Sequence, residues 1–521
     1  MEASRIGLRR RLANIASVCK PTPRSCPGNA ASGVRLRRYR EGLARQPRPI
    51  VALLAVLSVS LVGWMLGRTP VAHGDSGEYL LTIEAFANHG TPDIRGQDVN
   101  ALTTLAAPPN LKGSFGRLWH AVRRSGHGRW YTYHFWAYPL ALLPARLILG
   151  AVCANALAAA QVTNAVLLLA AAWFVLLAPW LHHKVARWWS LLTLIGPPAW
   201  FCVWPHPEVF SFSLVTVALA CAAGRRFGSA TTAIALASAQ NPPLAPLAAG
   251  LAVIVAGRPG PRARRIGLAL ASFAPALAPP LFYVLTFGRP SLILGESASF
   301  DSVSLSKAAD LLIDLNTGLL PYMPGVVALA LAGLVLSVRT TAPFPPPAAC
   351  FAAFAVGALG ASAGILWNFG TSGPSRYALW LSPFVVLPAA QWATRRGGVF
   401  ALAAALAAQT AVVLARLPAW GEDDEHRHSY AATFVLRRWP ALYEPHIDIF
   451  RDRTPRLAEG GPYVFRDGSH CRKALAQKRH VDALAAACGP LPPEFLAWTA
   501  EIAQAGRGRS DWRYLTYPAA R

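Results

Sequence analysis

The chain is 521 residues long, 54% apolar and 14% charged, with a mean hydropathy of +0.33 and a net charge of +25. This balance excludes an ordinary soluble protein and predicts a polytopic membrane protein. The basic residues fall in short clusters between apolar runs rather than on one domain face, which excludes nucleic acid as a partner and reads as a topology signal.

Residues 1–49 hold twelve Arg or Lys against two Glu and read as a disordered basic arm on the cytoplasmic side. Ile50–Gly67 is close to the ~20 residues that a spanning helix requires. It starts late and lacks a small-residue cleavage site, so it reads as an uncleaved anchor. The large loop 68–133 then lies outside. It contains His73-Gly74-Asp75-Ser76-Gly77-Glu78-Tyr79, Pro108-Pro109, and a basic aromatic end running from Arg123-Arg124 to Tyr133-His134. Asp75 and Glu78 have the spacing of a capping box, with Asp75 as N-cap of a helix Ser76–Asn88. A carboxylate fixed there, at the membrane–water boundary, is also placed to accept a proton from a hydroxyl nucleophile.

Phe135–Cys153, interrupted by Pro139, Pro144 and Arg146, is expected to be juxtamembrane or re-entrant on the outer side. Charge at the turns orders the spans that follow. Ala156–Leu181 runs inward to His182-His183-Lys184 and Arg187, Trp188–Pro205 returns to His206-Pro207-Glu208, and Val209–Gly224 descends to Arg225-Arg226. Ser229–Gly257 reads as a hairpin broken at Gln240-Asn241-Pro242-Pro243. Ile266–Phe287, Thr317–Val338, Pro345–Trp367, Ala378–Thr394 and Val399–Arg416 complete about eleven passes. The expected fold is therefore an all-α polytopic membrane domain, 50–416, with outer juxtamembrane helices.

The tail, 417–521, balances fifteen basic with thirteen acidic residues from Pro418 on and is expected to form a small outward α or α+β segment. Cys471 and Cys488 share it, and an oxidising compartment would allow a disulfide between them. Cys153, Cys202, Cys221 and Cys350 sit in apolar runs as small hydrophobes. Asp310 and Asp314 read as the polar face of an amphipathic outer helix.

An outward acid at a helix start, followed by Tyr133-His134-Phe135-Trp136-Ala137-Tyr138-Pro139-Leu140, resembles the GT-C superfamily of integral membrane glycosyltransferases, near its protein O-mannosyltransferase and aminoarabinose-transferase-like branches. The resemblance covers the layout from about residue 50 to 416. It implies transfer of a sugar from a polyprenyl-phosphate donor to a glycan, lipid or protein acceptor on the outer face of the bilayer. It assigns the general base to Asp75, with Glu78 assisting, and the second outward acid to Glu208 beside His206. Arg376-Tyr377 resembles the family's Arg-Tyr at a late helix start, and a planar guanidinium suits a departing phosphate. Tyr79, His134, Tyr138 and Asn241 complete the candidate substrate-binding set, with Arg289 and Lys307 as alternative phosphate ligands. The chain departs from the family in having Tyr138-Pro139-Leu140 for a double proline and Asp75-Ser76 for an acidic pair.

No Walker-type loop, nucleotide-sugar DxD or haem or zinc spacing occurs, so no cofactor is assigned, and a divalent cation on the paired carboxylates stays open. Two other function classes stay open beside transfer: a transporter or lipid flippase with broken helices, and a non-catalytic scaffold whose tail binds partners.

Overall fold

A computed structural model of the chain describes residues 44, 46–68, 74–105, 122–151, 158–337, 345–368, 373–394, 398–416, 426–505 and 512–517. The expectations for the basic arm up to residue 43, and for His73, Pro108-Pro109 and Cys153, lie outside them.

The fold is mostly helical. The chain begins with α1 (Arg48–Leu66), α2 (Ser76–His89) and α3 (Gly96–Leu105), followed by the antiparallel pair β1 (Val122–Arg124) and β2 (Trp130–Thr132). Next come α4 (Ala137–Ala151), α5 (Ala158–Leu177), α6 (His183–Leu194), the short α7 (Pro198–Phe201), α8 (Glu208–Ala223), α9 (Phe227–Ser238), α10 (Ala245–Ala256) and α11 (Arg262–Phe287). Then follow α12 (Leu305–Ile313), α13 (Pro324–Ser337), α14 (Pro347–Ala361), α15 (Arg376–Leu381), α16 (Pro383–Trp392) and α17 (Gly398–Arg416). Among the described residues, α1, α5 and α11, of 19, 20 and 26 residues, are long and apolar enough to cross a membrane. A large core of Trp189, Trp200, Trp367 and Trp380, each almost fully buried, lies among the helices.

Prolines set most of the differences from the expected spans, because a ring at position i removes one helix bond and clashes with the carbonyl four residues back. Trp188–Pro205 is divided into α6 and α7 at Gly196-Pro197-Pro198, and Ala378–Thr394 into α15 and α16 at Ser382-Pro383. The expected break at Asn241-Pro242-Pro243 is present as a single 3-10 turn between α9 and α10. Those two helices have 12 residues each, about 18 Å at the α-helical rise, short of the ~30 Å hydrocarbon core. α11 begins at Arg262 rather than Ile266, so its arginines form the first turn.

The C-terminal part carries α18 (Tyr430–Arg438), α19 (Ile447–Arg453), β3 (Tyr463–Asp467), β4 (His470–Ala476), α20 (Val481–Cys488), α21 (Pro493–Ala505) and β5 (Arg513–Thr516). Its three strands form one antiparallel sheet with β4 in the middle, so the tail is α+β. Cys471 and Cys488 are disulfide-bonded, tying β4 to the end of α20. Asp310 and Asp314 do not form a solvated polar face. Asp314 is 4% exposed; it accepts the Asn316 and Thr317 amides and the Tyr443 hydroxyl. Asp310 Oδ2 accepts from Trp367 Nε1 at 3.1 Å. A buried carboxylate needs such donors, and here the tail supplies one of them.

Candidate active site

Gly74 takes a left-handed φ of 55° and turns the chain into α2, whose first turn carries Asp75 and Glu78. Asp75 occupies the N-cap position but makes no side-chain cap bond. The capping-box expectation is therefore corrected: both carboxylates turn away from their own helix toward stronger, charge-assisted donors. Glu78 Oε2 accepts from the Tyr133 and His134 amides at 3.1 and 3.2 Å and from His134 Nδ1 at 3.0 Å. This folds the aromatic segment Tyr133-His134 onto α2. Tyr283 on α11 donates its hydroxyl to the His134 carbonyl at 2.8 Å.

Asp75 meets three cationic or imidazole groups at one oxygen. Arg376 Nη1 donates to Asp75 Oδ2 at 2.8 Å, while His134 Nε2 and His206 Nε2 lie 3.4 and 3.5 Å from the same atom. His206 is fixed from behind: its Nδ1 donates to Glu208 Oε2 at 2.5 Å, and its ring stacks on Trp204 at 4.0 Å. Pro207 is the N-cap of α8, so Glu208 enters the first turn with its side chain beside the imidazole. Arg376 opens α15, where Ser375 caps the helix by accepting from the Tyr377 amide at 3.3 Å. Its guanidinium lies 5.4 Å from the Tyr377 ring centre.

Tyr79 closes one wall, with its ring 5.1 Å from His206, 5.6 Å from Tyr138 and 5.7 Å from His134. Asp75, Glu78, Tyr79, His134, His206, Glu208 and Arg376 thus form one constellation, with Tyr138 and Tyr377 in contact with it. Asn241 stands apart, donating to Ser211 on α8 at 2.6 Å. Arg289 pairs with Glu296 at 2.9 Å, and Lys307 donates to the Gly364 carbonyl at 3.0 Å, so neither joins the cluster.

Several supporting residues escape sequence reasoning. Tyr138 is held by Asn164 at its hydroxyl and by Gln240 at its amide, at 3.2 and 2.8 Å. Glu84, which is buried, and the half-buried Arg146 form a bidentate pair, 2.6 and 2.8 Å, that clamps α2 to α4. Opposite charges inside two apolar segments were the signal that could have found it.

Burial opposes charge on Asp75, but the positive charges of His134 and Arg376, with His206 adding to them, hold its carboxyl well below the usual range. Burial likewise opposes the charged form of His134, yet Asp75 and Glu78 outweigh it and raise the imidazole to about 9. The Asp75 side chain keeps 26% exposure, so the cluster is open to a reactant on that side. Asp75, Glu78 and His134 each offer one ligand atom, all within 4.8 Å of one another, as a metal site would. Donors already fill that set, however: Arg376 occupies Asp75 Oδ2, and two amides occupy Glu78 Oε2. A divalent cation on this set would compete with the guanidinium for Asp75 Oδ2.

Compared with protein-family models, curated proteins and solved structures, the chain matches none, so its chemistry is read from its own residues.

Proposed function

We propose that this chain is a polytopic membrane glycosyltransferase of the GT-C kind, moving one sugar from a polyprenyl-phosphate donor to an acceptor hydroxyl on the outer face of the membrane. The observation that carries this reading is the Arg376–Asp75 ion pair, 2.8 Å, flanked by two imidazoles in a site with one open side. A transferase of this type needs a carboxylate to take the acceptor proton and a cation to stabilise the leaving phosphate. Asp75 and Arg376 supply both.

In the resting arrangement Asp75 is a poor base because Arg376 holds its charge. A donor phosphate competes for the guanidinium. As Arg376 turns to the phosphate, Asp75 loses a positive neighbour and its basicity rises. The acceptor oxygen then attacks the anomeric carbon, its proton passes to Asp75, and the bond from that carbon to the phosphate oxygen breaks with the electron pair leaving on phosphate. His134 and His206 keep the carboxylate oriented.

The same reading takes the short apolar helices, together with the three long ones, as about eleven passes, with the N-terminus inside and the tail outside. Arginines at Arg225-Arg226 and Arg258–Arg265 support an inner face for those turns, and the Cys471–Cys488 disulfide supports an oxidising exterior for the tail.

The test compares lipid-linked sugars and surface glycans in cells carrying the wild-type protein or Asp75→Asn at matched expression. Accumulation of the polyprenyl-phosphate sugar, with one glycan residue missing, supports transfer and names the sugar. Unchanged pools sink the reading. Imidazoles beside carboxylates in a helical bundle also suit proton-coupled transport, and Asp75-dependent sugar release by the purified protein excludes that alternative.

A further inference from the structure

From Val209 to Gly295 the chain contains no Asp or Glu, yet Arg225, Arg226, Arg258, Arg262, Arg264 and Arg265 all fall within it. Structure draws these arginines to one end of the helices α8 to α11. There a cavity of about 450 Å³ is lined by Arg226, Phe227, Gly228, Ser229, Arg258 and Leu268, among others. It lies apart from the Asp75 cluster and shares no residue with it.

Among the described residues, the contacts that hold the two lining arginines are with aromatic rings and a carbonyl. Arg226 lies 3.8 Å from the Trp180 ring centre, and Arg258 lies 4.9 Å from that of Phe227 while donating to the Arg225 carbonyl at 2.8 Å. Arg225 has a left-handed φ of 55°, the only non-glycine residue so placed among those described. That strained turn aims its carbonyl at Arg258, and such outliers persist where the surroundings over-determine them. Arg226 is the N-cap of α9 and makes no side-chain cap bond, so the Gly228 and Ser229 N–H groups on the cavity wall have no acceptor within the helix. Guanidinium forks and helix-start amides together recognise a phosphate.

Position and shape select its source. The cavity abuts the first turns of α11, a helix long and apolar enough to span, and one wall is Leu268, which is 53% exposed beside exposed Ile266 and Leu270. A basic, polar floor with an apolar flank at the end of a span is where an anionic headgroup meets its acyl chains. We propose that this cavity binds the phosphate of an anionic phospholipid at the inner membrane–water boundary.

The full-length protein, purified in detergent and stripped of lipid, is offered phosphatidylglycerol micelles, phosphatidylcholine micelles or inorganic phosphate, and bound lipid is counted by native mass spectrometry. Wild-type protein should retain phosphatidylglycerol about tenfold over phosphatidylcholine, and Arg226→Gln/Arg258→Gln should lower that retention about tenfold. Ser229→Glu should do the same while favouring the helix start, so loss of binding there is not unfolding. Arg264→Gln, away from the lining, should bind as wild type. Equal retention of the two lipids, or unchanged retention in both cavity variants, overturns the proposal. Phosphate that protects the wild type against heat while neither lipid is retained overturns the lipid source. The inference rests on the membrane reading, which carbonate extraction of the same cells tests separately.

Discussion

The guanidinium of Arg376 and the carboxylate of Asp75, 301 positions apart in the chain, are joined by a hydrogen bond of 2.8 Å. It makes Arg376 the switch on the proposed base. Arg376→Gln should raise the Asp75 carboxyl toward the ordinary carboxylate range, so the acid limb of the pH–rate profile moves to higher pH. Arg376→Lys keeps the charge but loses the planar fork, and the donor KM should rise about tenfold. An acid limb unmoved by either substitution would break the link between the two residues.

His134 predicts an alkaline limit on stability. Its folded value, about 9, lies above the ordinary 6.5 because Asp75 and Glu78 outweigh burial. The stabilisation from the charged ring is therefore complete below about pH 6.5 and is lost as pH rises through about 9. Thermal unfolding in detergent across that window should show the decline in wild type and a flatter curve in His134→Gln.

The Glu84–Arg146 clamp pairs a buried carboxylate with a half-buried guanidinium, with side chains 3% and 16% exposed. Removing one partner strands a charge and costs about 3–5 kcal/mol. Arg146→Met should thus lower the melting temperature sharply, and adding Glu84→Leu should recover most of the loss. Equal melting of the single and double variants would show that the pair is not coupled.

Tyr443 donates to Asp314 and accepts from Asn316, each at 2.8 Å, where the tail meets the segment after α12. Tyr443→Phe leaves both buried groups short of a partner, at a cost of about 1–3 kcal/mol. Hydrogen exchange should quicken in α18 and α19 with the long helices unaffected.

The Cys471–Cys488 bridge closes a loop of sequence separation 17, worth about 3 kcal/mol by chain entropy. Cys471→Ser, or mild reduction, should raise the protease sensitivity of the sheet β3–β5 before that of the helical region.

The amino-acid sequence alone determined the helical class, the break at Asn241-Pro242-Pro243, and the short polar motifs at the ends of apolar runs in which Asp75, His134, His206, Glu208 and Arg376 lie. These depend on neighbours within a turn or two: periodicity, a missing amide, a cluster of arginines. Partner choice is different in kind. The Asp75–Glu78 spacing suits a capping box equally well, and only the folded chain brings Arg376 and two imidazoles close enough to outcompete the helix amides for those carboxylates. Asp314 likewise read as a solvated acid until Tyr443, from the tail, supplied its donor. A buried charge takes the strongest donors within reach, and the set within reach is decided by tertiary packing across hundreds of residues.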